Sequence, residues 1–274
     1  MADLRIRRLE RPADFEGCVD IQRRIWNHAD LDITPVHNFC ASVEAGGIVL
    51  GAFAGSVLAG YVYSFPAIIH GRTAQHSHHL AVRTEYQGLG LGKTLKWAQR
   101  DEVLRRGLKL ITWTYDPLQA RNANLNLHNL GAIGRTYLDD FYGPAESLTL
   151  EPGVPTDRLL VEWEIASRRV EERSPGSPAA GAARLDPEAL PKAVAQRPDG
   201  FYPRITPRRP DFTRGEPVLL VEVPRSIRDL KGLGGLIAAW QKSMRAAFIH
   251  YLKTGYVLDD FIFGDRAYYV LRRT

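Results

Sequence analysis

The sequence predicts a mixed α/β (α+β) fold on one sheet, with a C-terminal half that repeats part of the first. Short stretches rich in Val, Ile, Tyr and Phe alternate with segments of helical spacing, and a glycine-rich turn joins a strand to a helix. The order strand, helix, strand, strand at 110–165 also recurs at 218–272.

Leu4–Leu9 alternates like a short strand, and Pro12–Trp26 has helical spacing with Phe15, Val19, Ile21 and Ile25 apolar. Thr34–Ala45 reads as a second helix. Ala45–Ile69 carries no charge and is long enough to span a membrane, but Gly46, Gly47, Gly51, Gly55, Gly60 and Pro66 punctuate it. A buried β-hairpin, Ile48–Phe53 and Val57–Phe65 around Ala54-Gly55-Ser56, explains it better. Further strands are expected at Thr73–Val82, Leu110–Thr114, Thr136–Phe141 and Arg158–Ile165, and helices at Leu91–Arg106 and Pro117–Leu130.

Residues 167–215 hold eight of the seventeen prolines and little periodicity, and read as a Pro/Arg-rich linker between a domain at 1–166 and a half-domain at 216–274. In that half-domain, Val218–Val223 is a strand, Ser226–Lys253 a helix, and Val257–Phe263 and Arg266–Leu271 two more strands. Leu138-Asp139-Asp140-Phe141 and Leu258-Asp259-Asp260-Phe261 mark the repeat. The apolar stripe from Leu233 to Tyr251 has to be covered, by residues 110–165 in cis or across a homodimer.

With 45% apolar and 24% charged residues over 274 positions, the chain is neither disordered throughout, nor a collagen-like fibre, nor a disulfide miniprotein. Cys18 and Cys40 have neither disulfide-framework nor metal-ligand spacing. The charged start, Asp3-Leu4-Arg5-Ile6-Arg7-Arg8, is unlike a secretory segment, so a cytoplasmic protein is expected, with no membrane partner. The net charge of +5 would suit a phosphorylated cofactor. The linker arginines could meet a nucleic acid, but they lack interleaved aromatics, and a solvated linker is the better reading.

Gln87-Gly88-Leu89-Gly90-Leu91-Gly92-Lys93 lies between a strand and a helix. Glycines let backbone approach a ligand closely, and N–H groups at a helix start point at an anion. The spacing is not that of a Walker loop, and no acidic residue is placed for a dinucleotide ribose. Together, Leu80-Ala81-Val82, Arg83-Thr84-Glu85-Tyr86 and Gln87-x-x-Gly90-x-Gly92 resemble the acyl-CoA loop of the GNAT superfamily of N-acyltransferases. Trp113–Leu118, Asn122-Ala123-Asn124 and Leu127–Gly131 are similar to a bacterial group of predicted acetyltransferases within it. The resemblance implies a GNAT-like mixed sheet and, for the C-terminal half, a duplicated GNAT half-domain. It implies acetyl-CoA or another acyl-CoA as cosubstrate, no metal, and transfer to a primary amine of a small molecule or peptide. Residues 87–92 (Gln87, Gly88, Leu89, Gly90, Leu91 and Gly92) would hold the pyrophosphate on their N–H groups, Leu80, Ala81 and Val82 would align the pantetheine arm, and Lys93 and Asn122 would also contact CoA.

Acyl transfer needs a deprotonated amine, donors for an oxyanion and a proton for the leaving thiolate. Some relatives carry a glutamate six residues before the Val82 position, where this chain has His76. His78 would share its strand face, with Ser77 and His79 opposite. These histidines either act as bases or simply occupy a half-exposed strand. Many relatives place a tyrosine four residues before a helix-ending glycine; before Gly131 that position is Leu127, whereas Tyr251 stands four before Gly255. Tyr251 is either delivered as the acid or packs in its stripe, with Tyr115 and Tyr142 weaker alternatives. The missing tyrosine leaves a second functional class open, a catalytically silent CoA-binding or assembly module.

Overall fold

The computed structural model describes residues 4–26, 30–143, 154–177, 185–197 and 204–274. It is mixed α/β and divides into two compact units, Met1–Trp113 with Glu164–Ser167, and Thr114–Trp163 with Arg168–Thr274. The sequence had placed the first boundary at 166. The division falls instead inside β5, where Trp113 and Thr114 part company.

In the first unit the strands β1 (Leu4–Arg8), β2 (Ile48–Ala54), β3 (Val57–Ile69), β4 (Arg72–Val82) and β5 (Leu110–Tyr115) lie in that order. All neighbours are antiparallel except β4 and β5, which are parallel. α1 (Pro12–Trp26) and α2 (Val36–Glu44) cover one sheet face through Phe15, Cys18, Ile21 and Phe39, which meet Val49, Tyr61, Tyr63 and Ala81. α3 (Leu91–Arg105) covers the other face, where Ser77 hydrogen-bonds Gln99 and Lys96. β3 runs four residues beyond its expected end. Its last partner on β2 is Ser64 opposite Ile48, so Pro66 sits where only β4 pairs with it, and its missing N–H disturbs no second ladder.

The second unit begins with α4 (Ala120–Ala123), which continues as a π-helical turn over Asn124–Asn129. β6 (Ile133–Leu138) and β7 (Arg158–Glu164) follow, then α5 (Arg168–Glu171), β8 (Lys192–Val194) and β9 (Val218–Val223). α6 (Gly234–Lys253), β10 (Tyr256–Phe263) and β11 (Ala267–Arg273) complete it. Here the strand order is β7-β6-β10-β11-β9-β8. The helix expected over Ser226–Lys253 is broken: a 3-10 turn ends at Leu230, and Gly232 at φ +80° redirects the chain before α6 starts. Glycine takes that left-handed conformation without the Cβ penalty.

The described parts of 167–215 are more structured than a free linker. β8 adds to β9 in parallel, and Ala193, Val194 and Ile205 are buried. Trp240 Nε1 donates to the Ile205 carbonyl at 2.9 Å, and Ser243 Oγ to that of Arg208 at 2.9 Å. Prolines hide this from periodicity, because the segment is held by scattered backbone bonds such as Arg208 N to Ala195 O. The stripe expected to need cover is buried within this unit. α6 buries Ile237, Trp240, Met244, Phe248 and Tyr251, and its Arg245 grips Asp157 bidentately at 2.9 and 2.6 Å.

The two copies meet where β6 pairs with β10, Gly134 opposite Leu258. Each residue stands three places after a helix-ending glycine of positive φ, Gly131 or Gly255. The order strand, helix, strand, strand recurs, but the Leu-Asp-Asp-Phe match does not mark equivalent positions. Asp139 and Asp140 follow the end of β6, whereas Asp259 and Asp260 lie inside β10 at a bulge. At the junction a Cβ on Gly134 would stand 2.9 Å from Leu258 Cδ1 and 3.1 Å from its Cβ. Gly134→Ala is expected to destabilise the protein by about 1–3 kcal/mol in urea unfolding, and by clearly less in a Leu258→Ala background.

Candidate active site

The glycine loop is exposed, and its glycines serve conformation rather than crowding. Gly88 and Gly90 take φ of +81° and +78°, and a Cβ at either would meet nothing within 4 Å. Gly90 is the N-cap of α3 and offers no side chain to the first N–H groups, while Thr94 N already bonds Gly90 O. The amides of Leu91, Gly92 and Lys93 thus belong to the turn that a helix leaves without internal acceptors, at its positive end. The loop is tied down from behind. Gln87 Nε2 donates to Val82 O at 2.9 Å, and Arg83 reaches Leu58 O at 2.7 Å and Asp20 at 2.7 Å.

β4 leads into this loop and is only briefly paired on its β5 side. Gln75 opposes Ile111 and His76 opposes Thr112, and among the described residues the β4–β5 register ends there. From Ser77 onward β4 keeps β3 on one edge, while the other edge, through Leu80, Ala81 and Val82, has no register pair with β5 among the described residues.

The histidines sit where that register ends, with one difference from strict alternation. Tyr63 pairs with His79 and Ser64 with Ser77, so His78 is the extra residue of a β-bulge. The bulge returns His79 to the face of His76, although His79 was expected opposite. His78 and His79 stack with centroids 4.4 Å apart, and His79 is buried against Trp26, Phe39 and the Tyr61 hydroxyl. His79 is a packing residue. Of residues 76–79, Ser77 is the one hydrogen-bonded to α3.

His76 is half-buried, its ring 5.4 Å from Phe65, with Nδ1 3.1 Å from Thr112 Oγ1. That bond fixes the ring and leaves Nε2 as its other functional nitrogen. Burial, then His78 and Lys96, lower its pKa to about 4. His78 keeps part of its ring open to solvent, while Tyr63 and Phe65 desolvate the remainder and lower its pKa too.

The remaining expected residues divide differently. Tyr251 is fully buried in the second unit and its hydroxyl donates to the Asp211 carbonyl, with burial pushing its pKa up to about 12. The hydroxyl thus already has a backbone acceptor. Asn122 is exposed on α4, also in the second unit, and Leu127 is buried in the π-helical turn. Two residues that periodicity missed are Thr112, which orients His76, and Lys96, buried under β4. Among the described residues no cluster of His, Cys, Asp and Glu could hold a metal ion, and no helix is long and apolar enough to cross a membrane.

No protein-family model matches the sequence, and no curated protein matches it either. Among solved structures, the chain is similar to GNAT acetyltransferases. A GNAT-family protein from Desulfovibrio desulfuricans is 17% identical at a TM-score of 0.49, over 60% of this chain and 100% of its own. A Salmonella typhimurium protein, solved with its cofactor acetyl-CoA, is 20% identical at a TM-score of 0.49, over 61% of this chain and 96% of its own. The ribosomal-protein-S18-alanine N-acetyltransferase of Escherichia coli is 18% identical at 0.47, over 60% and 96%. At such identities, chemistry has to be read from this chain's own residues.

Since the native pKa of His76 lies below its ordinary 6.5, the unfolded chain binds more protons between about 6.5 and about 4. Stability should fall as pH drops through that window. His76→Asn is expected to flatten the fall in melting temperature there without abolishing it, since His78 contributes in the same direction. An unchanged slope in thermal melts across the window would place the titration elsewhere.

Proposed function

We propose that the chain is an acyl-CoA-dependent N-acyltransferase that moves an acetyl or other acyl group onto a primary amine of a small molecule or peptide. The observation that carries the reading is the departure of β4 from β5 directly before a glycine loop that opens α3. A free strand edge suits the amides of a pantetheine arm, which would lie along Leu80, Ala81 and Val82 as an extra strand. Residues 87–93 would receive the pyrophosphate on backbone N–H groups and the positive helix end. CoA brings the activated thioester; the chain's own groups bind, orient and take the proton.

In the reaction the amine nitrogen attacks the thioester carbonyl, the amine gives up a proton, the C–S bond breaks and the amide forms, with CoA leaving as a thiolate that takes its proton from solvent. An amide N–H on the open edge near Leu80 and Ala81 would stabilise the oxyanion. A histidine of pKa about 4 is neutral at physiological pH but a weak base. His76 therefore suits an amine that arrives neutral: its nitrogen accepts a hydrogen bond that orients attack, and takes the proton as the C–N bond forms. His78, open to solvent, would pass it on.

A second reading, CoA binding without turnover, is favoured by Leu127 at the position of the expected hydroxyl and by the committed Tyr251 hydroxyl. Thiol release from acetyl-CoA over a panel of amines, beside calorimetric binding, separates the two: release that depends on amine supports the enzyme, and binding alone supports the silent module. The loop itself is best tested at Gly92, whose φ is not left-handed and where a Cβ meets only Leu80 Cδ2 at 3.7 Å. Gly92→Glu is expected to leave the melting temperature intact, since an acidic residue suits a helix start, yet to weaken acetyl-CoA by at least about tenfold. Equal affinity in the folded variant would remove the loop from the site.

A further inference from the structure

The helix that follows the glycine loop carries a lysine in a place where an apolar residue would serve the fold better. Lys96 is 2% exposed. Its Nζ lies 3.0 Å from Ser77 Oγ and 2.8 Å from Gln99 Oε1, and 3.7 Å from the centroid of the Trp113 ring. Ser77 belongs to β4, Trp113 to β5 and Gln99 to α3, so one atom touches all three elements.

The position in the register gives this contact its meaning. The parallel pairing of β4 with β5 proceeds from Gln75 and Ile111 to His76 and Thr112; Ser77 and Trp113 would be the next pair. The lysine head therefore sits at the vertex where the strands part. Burying an amine strips it of water, which pushes the Lys96 pKa well below the usual lysine range. A methionine of similar volume would avoid that penalty, and Leu91, Leu95 and Val103 already supply α3 with apolar contacts. The polar cluster is also incomplete. Gln99 Nε2 and Ser64 Oγ are fully buried with no hydrogen-bond partner among the described residues, and Ser64 is the cross-strand neighbour of Ser77.

We propose that Lys96 is a positioning residue for the acyl arm of the cosubstrate: by holding Ser77 to α3 and lying over Trp113, it fixes the opening between β4 and β5. This rests on the CoA reading above. It assigns Lys96 to the pantetheine end of the ligand alone, because the nucleotide end would be held by the glycine loop. A residue needed merely for folding would make no such distinction between the two ends.

The experiment compares two ligands on the full chain by calorimetry: acetyl-CoA, and 3′-phosphoadenosine 5′-diphosphate, which is CoA without its arm. Lys96→Met keeps the bulk and removes the donor. Its expected result is an acetyl-CoA affinity at least about tenfold weaker, with nucleotide affinity within twofold of the parent and a melting temperature equal or higher. Lys96→Arg, which restores donors, should recover part of the loss. If Lys96→Met does not fold, Ser77→Ala deletes only the acceptor hydroxyl and should show the same split between ligands. Unchanged acetyl-CoA affinity, or an equal loss for both ligands, overturns the proposal. Failure of the parent chain to bind either ligand overturns the CoA reading instead, and is visible before any variant is made.

Discussion

β4 and β5 run parallel for two register pairs and then separate, and the geometry of the candidate site follows from that separation. A parallel sheet ordinarily satisfies both edges of an internal strand. Here β4 keeps its pairing with β3 through Val82, while among the described residues its register with β5 ends at His76. Buried or half-buried backbone without partners is unfavourable, so such an edge calls for a ligand, water or another chain. The β-bulge at His78 adds a local twist at the same point. It puts two imidazoles beside each other and leaves His76 with Thr112 as its anchor. Strand separation, bulge and glycine loop lie within seventeen residues, from His76 to Gly92.

The far side of the sheet shows what this arrangement costs and how it is offset. α3 turns Lys96, Gln99 and Glu102 toward the sheet rather than to water. Glu102 is fully buried, yet Arg8, Arg105 and Arg106 all engage its carboxylate, and Arg106 also donates to Gly46 O at 2.7 Å. A buried charge paired this way adds little net stability over an apolar replacement, whereas removing one partner is severely destabilising. The polar stripe therefore specifies where α3 lies more than how stable the unit is. That matters for a helix whose first turn is the proposed anion site.

Much of the fold was legible because its cause is local. The apolar spacing of Pro12–Trp26 defines α1 to the residue, and turn chemistry at Ala54-Gly55-Ser56 defines the β2–β3 hairpin. The glycine loop was legible for the same reason, since φ of +81° and +78° needs glycine wherever the chain folds. What escaped depends on distant partners. Pro66 hid the last turn-ward residues of β3, which are permitted because β2 has already ended. Lys96 carries no signal of burial in the sequence, because the groups around its amine, Ser77 and Trp113 among them, come from other elements. A bulge shifts side-chain faces by one residue and leaves no periodic signature, so His79 was assigned to the wrong face. Arg-rich, proline-rich stretches look like linker even when, as at β8, a few backbone bonds and buried apolar residues fasten them.

The central claim is that an acyl-CoA occupies the open edge of β4 and the start of α3, and amide hydrogen exchange with and without acetyl-CoA tests it most directly. The account predicts slower exchange in two segments, 77–82 on β4 and 88–94 at the loop and first turn of α3, with little change along β1 and β2. Saturating acetyl-CoA that leaves both segments exchanging as in the free chain, or that protects residues elsewhere alone, would contradict it.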